Sequence, residues 1–383
     1  MVLSTAATET KFAEEFRKLI SSGDDAAIRK IREEAFAEFS SKGFPTQRDE
    51  DWKYTNVATA DSGQWKIDSG RDNVPAALDI EDLKRFNFSR NGFTALNLAF
   101  ADFAVLTIEK DTVIDEPIAF NFAADDGSAI FPHILVMAKA GSKATIVESY
   151  ASPANSFTNA AIQIVVEDNA HLTHYRVQKE STDAIHYGVT EVSVGRGSVY
   201  NSTNINIGGK LSRHDIDVKF TAEGGEAWVD GLYMLNGTQH HDTHSIIDHQ
   251  LPNCLSHQNY KGVMNDKSRA VFNGKVFVRE NAHGTDAQQS NKNLLLSNEA
   301  RVDTKPQLEI FNDDVKCSHG ATVGQLEEEE LFYLLTRGLP ENLARNLLTY
   351  GFAEEIIRKI GIEGIKSELD EAVLNRLNVK LEV

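Results

Sequence analysis

The sequence predicts a mainly β protein, a β-solenoid core flanked by N-terminal and C-terminal α-helical regions, and three observations predict it. Residues 95–324 are filled by short runs rich in Val, Ile, Thr, Phe and Tyr, divided by Gly, Asn and Asp, the composition and punctuation of strands. Within them a turn followed by a small or polar residue and a β-former recurs. It stands at Gly141-Ser142-Lys143-Ala144, Asp168-Asn169-Ala170-His171, Gly195-Arg196-Gly197-Ser198 and Gly224-Gly225-Glu226-Ala227, about 28 residues apart. It returns at longer intervals at Asp266-Lys267-Ser268-Arg269 and Ser297-Asn298-Glu299-Ala300, as rungs of a solenoid with insertions would. Helical periodicity brackets this region on both sides. A β-sandwich, whose strands return roughly every 8 to 12 residues, is the alternative that the pattern leaves open.

Residues 1–94 read as a helical region and linker. Phe12, Phe16, Leu19 and Ile20 fall at i, i+4, i+7 and i+8, with Glu14, Glu15, Arg17 and Lys18 on the other side, the signature of an amphipathic helix. After the acidic break Ser21-Ser22-Gly23-Asp24-Asp25, Ile28, Ile31, Ala35 and Phe39 repeat it, which predicts a helical hairpin. Gly43-Phe44-Pro45 ends the hairpin, because proline restricts the residue before it and cannot continue a helix. Residues 325–383 return to helix. Glu327 to Glu330 favour a helix N-terminus, Leu331, Leu334 and Leu335 supply its apolar face, and Gly338 with Pro340 stops it. Leu343, Leu347 and Leu348 continue the next helix, followed by Ile356, Ile357 and Ile360, then Ile365, Leu369, Val373, Leu374 and Leu377.

The 383 residues carry 39 Lys and Arg against 57 Asp and Glu, a formal charge of −18, which repels a phosphate backbone and argues against nucleic acid as a partner. The first residues show no basic stretch followed by an apolar one, and no apolar window reaches bilayer length, so a cytoplasmic protein without membrane association is expected. Its two cysteines, Cys254 and Cys317, are expected to be free thiols. The sequence holds no Gly-x-Ser-x-Gly elbow, no phosphate-binding Walker loop and no Gly-x-Gly-x-x-Gly leading into a helix.

Two constellations could carry chemistry. Cys317 and His319, within Asp314-Val315-Lys316-Cys317-Ser318-His319-Gly320, share one face of a strand, because residues i and i+2 point the same way. A soft thiolate beside an imidazole suits iron, zinc or a sulfur species, yet two donors do not close a site. The pair is therefore half of a site completed by another surface, or a packed thiol beside a hydrogen-bonded histidine. His240, Asp242 and His244 share one face of a second strand while His241 points away. Two imidazoles and a carboxylate could form a metal triad, and a polar face of mutually bonded side chains is the alternative.

Three passages resemble the SufB/SufD family of the SUF iron–sulfur cluster assembly system, in its SufD form. They are Phe44-Pro45-Thr46-Gln47-Arg48-Asp49-Glu50-Asp51-Trp52-Lys53-Tyr54-Thr55, the stretch from Cys254-Leu255-Ser256-His257 to Asn293-Leu294-Leu295-Leu296, and Pro306-Gln307-Leu308-Glu309-Ile310 through Cys317-Ser318-His319-Gly320-Ala321-Thr322-Val323-Gly324 to Arg337-Gly338. The resemblance implies a right-handed parallel β-helix and a scaffold without enzymatic activity. It implies pairing with the paralogue SufB, and binding of the ATPase SufC through the C-terminal region. It implies no cofactor in the isolated chain, a transient iron–sulfur cluster or iron in the complex, and His319, beside Cys317, as ligand at the subunit interface. Gln288-Gln289-Ser290-Asn291 stands where the SufB form carries its cysteine. A homodimer in the absence of SufB is also possible, since an exposed last rung tends to pair. Leu331, Leu334, Leu347, Ile356 and Ile360 are candidates for the ATPase contact, with packing inside the chain as the other reading.

Overall fold

Every strand pair in the computed structural model runs parallel, which decides for the solenoid over the antiparallel sandwich. The structure describes residues 5–21, 25–68 and 75–376. The break at 22–24 and Leu377 lie outside them. Among the described residues the strands form two sheets, one of ten strands and one of eight, joined by alternate strands from Pro132 onward, in about eight turns. The turn residues that recur in the sequence make the corners. Gly141 has φ 70° and Asn169 φ 57°, the left-handed region that glycine and asparagine enter at least cost.

The inside of the coil has two lanes. In one, Ile134, Ile162, Val192, Ile216, Ile247 and Val276 of the ten-stranded sheet face Ile146, Leu172, Val229 and Ala287 of the eight-stranded one, all buried. Each buried aliphatic side chain there contributes about 1.5–3 kcal/mol. The other lane is polar. Glu148, His174, Arg176, His186, Thr190, His214, His241, Thr243, Gln258, Gln289 and Asn291 are buried along it, linked rung to rung by hydrogen bonds such as His174 to Glu148 at 3.1 Å and Ser212 to His241 at 2.7 Å.

Each outer face is covered by helices. The hairpin Thr5–Ile20 and Ala26–Lys42 packs with the helix Gly92–Phe100 over the ten-stranded sheet, through Phe12, Phe16, Phe39 and Phe100 on one side and Leu135, Phe157 and Tyr187 on the other. The sequence reads as strand from residue 95, but residues 92–100 form a helix, capped by the Asn91 side chain on Phe93 and Thr94. All nine of its residues are buried, so it shows neither a two-residue nor a helical alternation of polar and apolar positions. A short strand, Lys66–Ile67, also escapes the sequence; it pairs with Ser128 and Ala129.

The helices Glu328–Thr336, Glu341–Ile357 and Glu363–Arg376 follow the last strand, and the latter two cover the eight-stranded sheet. Ile356, Ile357 and Ile360, with Leu369 and Val373, pack on Ile205, Leu232, Met234 and Val263. Lys261 to Glu355 at 2.5 Å and Lys359 to Asp230 at 2.8 Å fasten the edges. This corrects part of the expected ATPase contact. Ile356 and Ile360 are 0% and 4% exposed, held by the chain's own sheet. Leu331 and Leu334 are half-buried. On these helices, the large apolar side chains left in solvent among the described residues are Phe332, Tyr333, Leu335, Leu343 and Leu347.

Candidate functional site

His240, Asp242 and His244 lie on the strand His240–His249, on the outer face of the ten-stranded sheet. There the segment Glu50–Thr55 crosses them. Thr55 Oγ1 donates to Asp242 Oδ2 at 2.6 Å and lies 2.9 Å from His240 Nε2. From the neighbouring strand Arg213 donates to the same Asp242 oxygen at 2.9 Å, to Asp215 Oδ1 at 2.9 Å and to the Asp51 carbonyl at 2.6 Å. Its guanidinium lies 3.7 Å from the Trp52 ring centre, a cation–π contact. His244 Nε2 sits 3.1 Å from the other Asp242 oxygen.

Burial alone would push the Asp242 carboxyl up, but His244, Arg213 and the Thr55 hydroxyl outweigh it and hold the carboxyl well below its ordinary range. Burial pushes the His240 imidazole down. Among the described residues no group of three or more His, Cys, Asp and Glu is arranged to hold a metal ion. The candidate triad is thus part of a buried ion-pair and hydrogen-bond network with Thr55 and Arg213. It fastens the Asp-Trp-Lys-Tyr-Thr segment to the coil.

Cys317 and His319 stand on the last strand, Val315–Gly324, an edge of the eight-stranded sheet. The strand before it, Arg301–Ile310, is the corresponding edge of the ten-stranded sheet. Both edges expose residues that the same positions bury one rung earlier. Cys317 is half-buried against the interior cluster, and burial pushes its thiol up. Exposed His319 borders a cleft of about 480 Å³ lined also by Trp228, His257, Gln289, Glu355 and Lys359. The strand register puts Ala287 beside Cys317 and Gln289 beside His319. The thiol and the imidazole therefore emerge at the open mouth of the coil, and their donors are engaged far less than those of Asp242.

Cys254 is 1% exposed, and its thiol donates to the Ala222 and Pro252 carbonyls at 3.4 Å. It is a packed corner residue. Sequence reasoning missed Arg213, Trp52 and Gln289. Trp52 and Gln289 fall within the passages that carry the family resemblance, but with no role assigned to them, and Arg213 gave no signal.

No helix among the described residues is long and apolar enough to cross a membrane. Residues 120–352 match the family model described as SUF system FeS cluster assembly, SufBD core domain, and residues 5–87 match the SufBD protein N-terminal region. The chain is similar to an iron–sulfur cluster assembly SufBD family protein of Synechocystis, 38% identical over 295 residues, covering 73% of this chain and 65% of that protein. It is 36% identical over 252 residues to the iron–sulfur cluster assembly protein SufD of Escherichia coli, covering 65% of this chain and 59% of that one. The SufD of Bacillus subtilis is 28% identical over 318 residues, 78% and 71% of the two chains. The matched region thus spans less than two thirds of the first two relatives' own length.

Proposed function

The chain belongs to the SufBD family of the SUF system, and from that premise we propose that it is a non-enzymatic scaffold subunit of a cytoplasmic iron–sulfur cluster assembly complex. Its last rung pairs with that of the paralogue SufB, and the nascent cluster is held between them, with His319 and secondarily Cys317 as this chain's ligands. The observation that carries the reading is the open last rung, which offers a thiol and an imidazole on an uncovered sheet edge. Imidazole and thiolate suit iron, and a set of two needs a second surface. Iron and sulfide are cargo in this scheme. In the absence of SufB, the same edge would pair with a second copy.

The ATPase SufC docks on the C-terminal helices, for which Phe332, Tyr333, Leu335, Leu343 and Leu347 supply an exposed apolar set. Nucleotide hydrolysis belongs to that partner, because this sequence has no phosphate-binding loop. Deleting the whole tail would also uncover Leu232, Met234 and Val263. The cleaner test is therefore Phe332→Glu with Leu347→Glu, which should abolish capture of SufC while leaving the pairing with SufB.

For the cluster role the test is His319→Ala in the reconstituted complex with SufB and SufC. Cluster formation, followed by iron and sulfide content, should fall at normal complex yield. Unchanged cluster formation would make the chain a structural adaptor for the ATPase.

A further inference from the structure

Beside His319 the polar lane of the coil ends in an atom without a partner. On the neighbouring strand Gln289 is 3% exposed. Its Nε2 donates to Gln258 Oε1 at 2.6 Å, and Gln258 Nε2 donates to Ser245 Oγ at 2.9 Å. This chain of amides crosses the interior and fixes the Gln289 side chain. Its Oε1 is buried and accepts no hydrogen bond from any described residue, an uncommon state for an interior carbonyl oxygen. Room for the amide is specific: a Cβ on Gly274, across the coil, would fall 2.4 Å from Gln289 Nε2. In-register neighbours in a parallel sheet lie about 4.8 Å apart and project to the same side. Gln289 and His319 are such neighbours.

The geometry points to Gln289 as a positioning residue for His319. When a partner closes the last rung, Gln289 Oε1 accepts the N–H of one imidazole nitrogen, which fixes the ring and its tautomer and turns the lone pair of the other nitrogen toward the metal. Ligating histidines commonly need such an acceptor on their far nitrogen, and its loss costs about 10–100-fold in metal affinity or activity. The inference rests on the reading of His319 as a ligand. It adds that the interior of this chain, through Ser245, Gln258 and Gln289, sets the ligand's orientation.

Gln289→Leu keeps the size and removes the acceptor, whereas Gln289→Glu keeps an acceptor oxygen at the same reach. Both are compared with wild type and His319→Ala in the reconstituted complex, by cluster formation and by Co(II) affinity as the metal probe. The expected result is a loss of about tenfold or more in Co(II) affinity for Gln289→Leu, with recovery in Gln289→Glu. Mere packing predicts the opposite order, since an interior carboxylate disturbs an amide site more than leucine does. Wild-type affinity in Gln289→Leu, or Gln289→Glu as weak as Gln289→Leu, overturns the inference while His319 stands. Normal affinity and cluster formation in His319→Ala overturns both. If Gln289→Leu lowers complex yield, Gly274→Ala displaces the same amide from across the coil and is held to the same loss.

Discussion

His240, Asp242 and His244 on one strand and Cys317 and His319 on another are the two places where this chain gathers soft or carboxylate donors on a strand face, and their surroundings differ completely. Asp242 is 1% exposed and takes Thr55, Arg213 and His244 onto its two oxygens. The last rung leaves His319 in solvent and only half covers Cys317. Residue types that could ligate a metal are common to both. The second leaves its imidazole without a hydrogen bond to any described residue, on a sheet edge with no following rung.

The comparison breaks most readily at Arg213. Its guanidinium joins two fully buried carboxylates, Asp215 and Asp242, to the Trp52 ring and the Asp51 carbonyl. Removing one partner of a buried ion pair leaves an uncompensated charge. Arg213→Ala should therefore cost about 3–5 kcal/mol of stability, read by denaturant unfolding, and should loosen the Glu50–Thr55 segment to proteolysis. A loss below about 1 kcal/mol would mean that the network is not holding that segment in place.

Acid should act next, and again on the closed histidines. Burial pushes His249, on the same strand as Asp242, down to about 4, and His133, bonded to Asn97 of the helix Gly92–Phe100, down to about 4. In the unfolded chain each binds a proton near pH 6.5, in the folded chain only near 4. Their contribution is complete above 6.5 and is lost as pH falls through 4, at about 3 kcal/mol for each histidine across that window. Unfolding free energy measured from pH 7 to 4 should fall steeply, and His249→Gln should flatten the slope. An unchanged slope would show that its ring is hydrated in solution.

The corners of the coil were legible because left-handed positions demand Gly, Asn or Asp, and these recur at the rung length. Gly141 and Asn169 are examples. The helix Gly92–Phe100 was not legible, since burial on every side erases its period. The shared face of His240, Asp242 and His244 follows from alternation alone. Their partners do not, because Thr55 reaches Asp242 from 187 positions away and Arg213 from 29. The incompleteness of the Cys317 and His319 pair could be read from its two donors. The acceptor beside His319 could not, since Gln289 and Gln258 meet only through a rung 31 residues long. Ile356 and Ile360 show the same limit: an apolar helix face says that something covers it, and only the fold says that the chain's own sheet does.

The smallest stability effect belongs to the residue with the largest expected functional one. His319 is exposed on an edge strand and makes no hydrogen bond to any described residue, so His319→Ala in the isolated chain should change unfolding free energy by no more than about 0.5 kcal/mol. Asp242→Ala, by contrast, strands Arg213 and should fall among the large losses. A buried donor set bonded within the chain holds the fold together, whereas an exposed imidazole with no bond inside the chain is free for a contact outside it. Were His319→Ala to destabilise the isolated chain by more than about 1.5 kcal/mol, the imidazole would already be engaged within the coil, and the distinction between the two strands would fail.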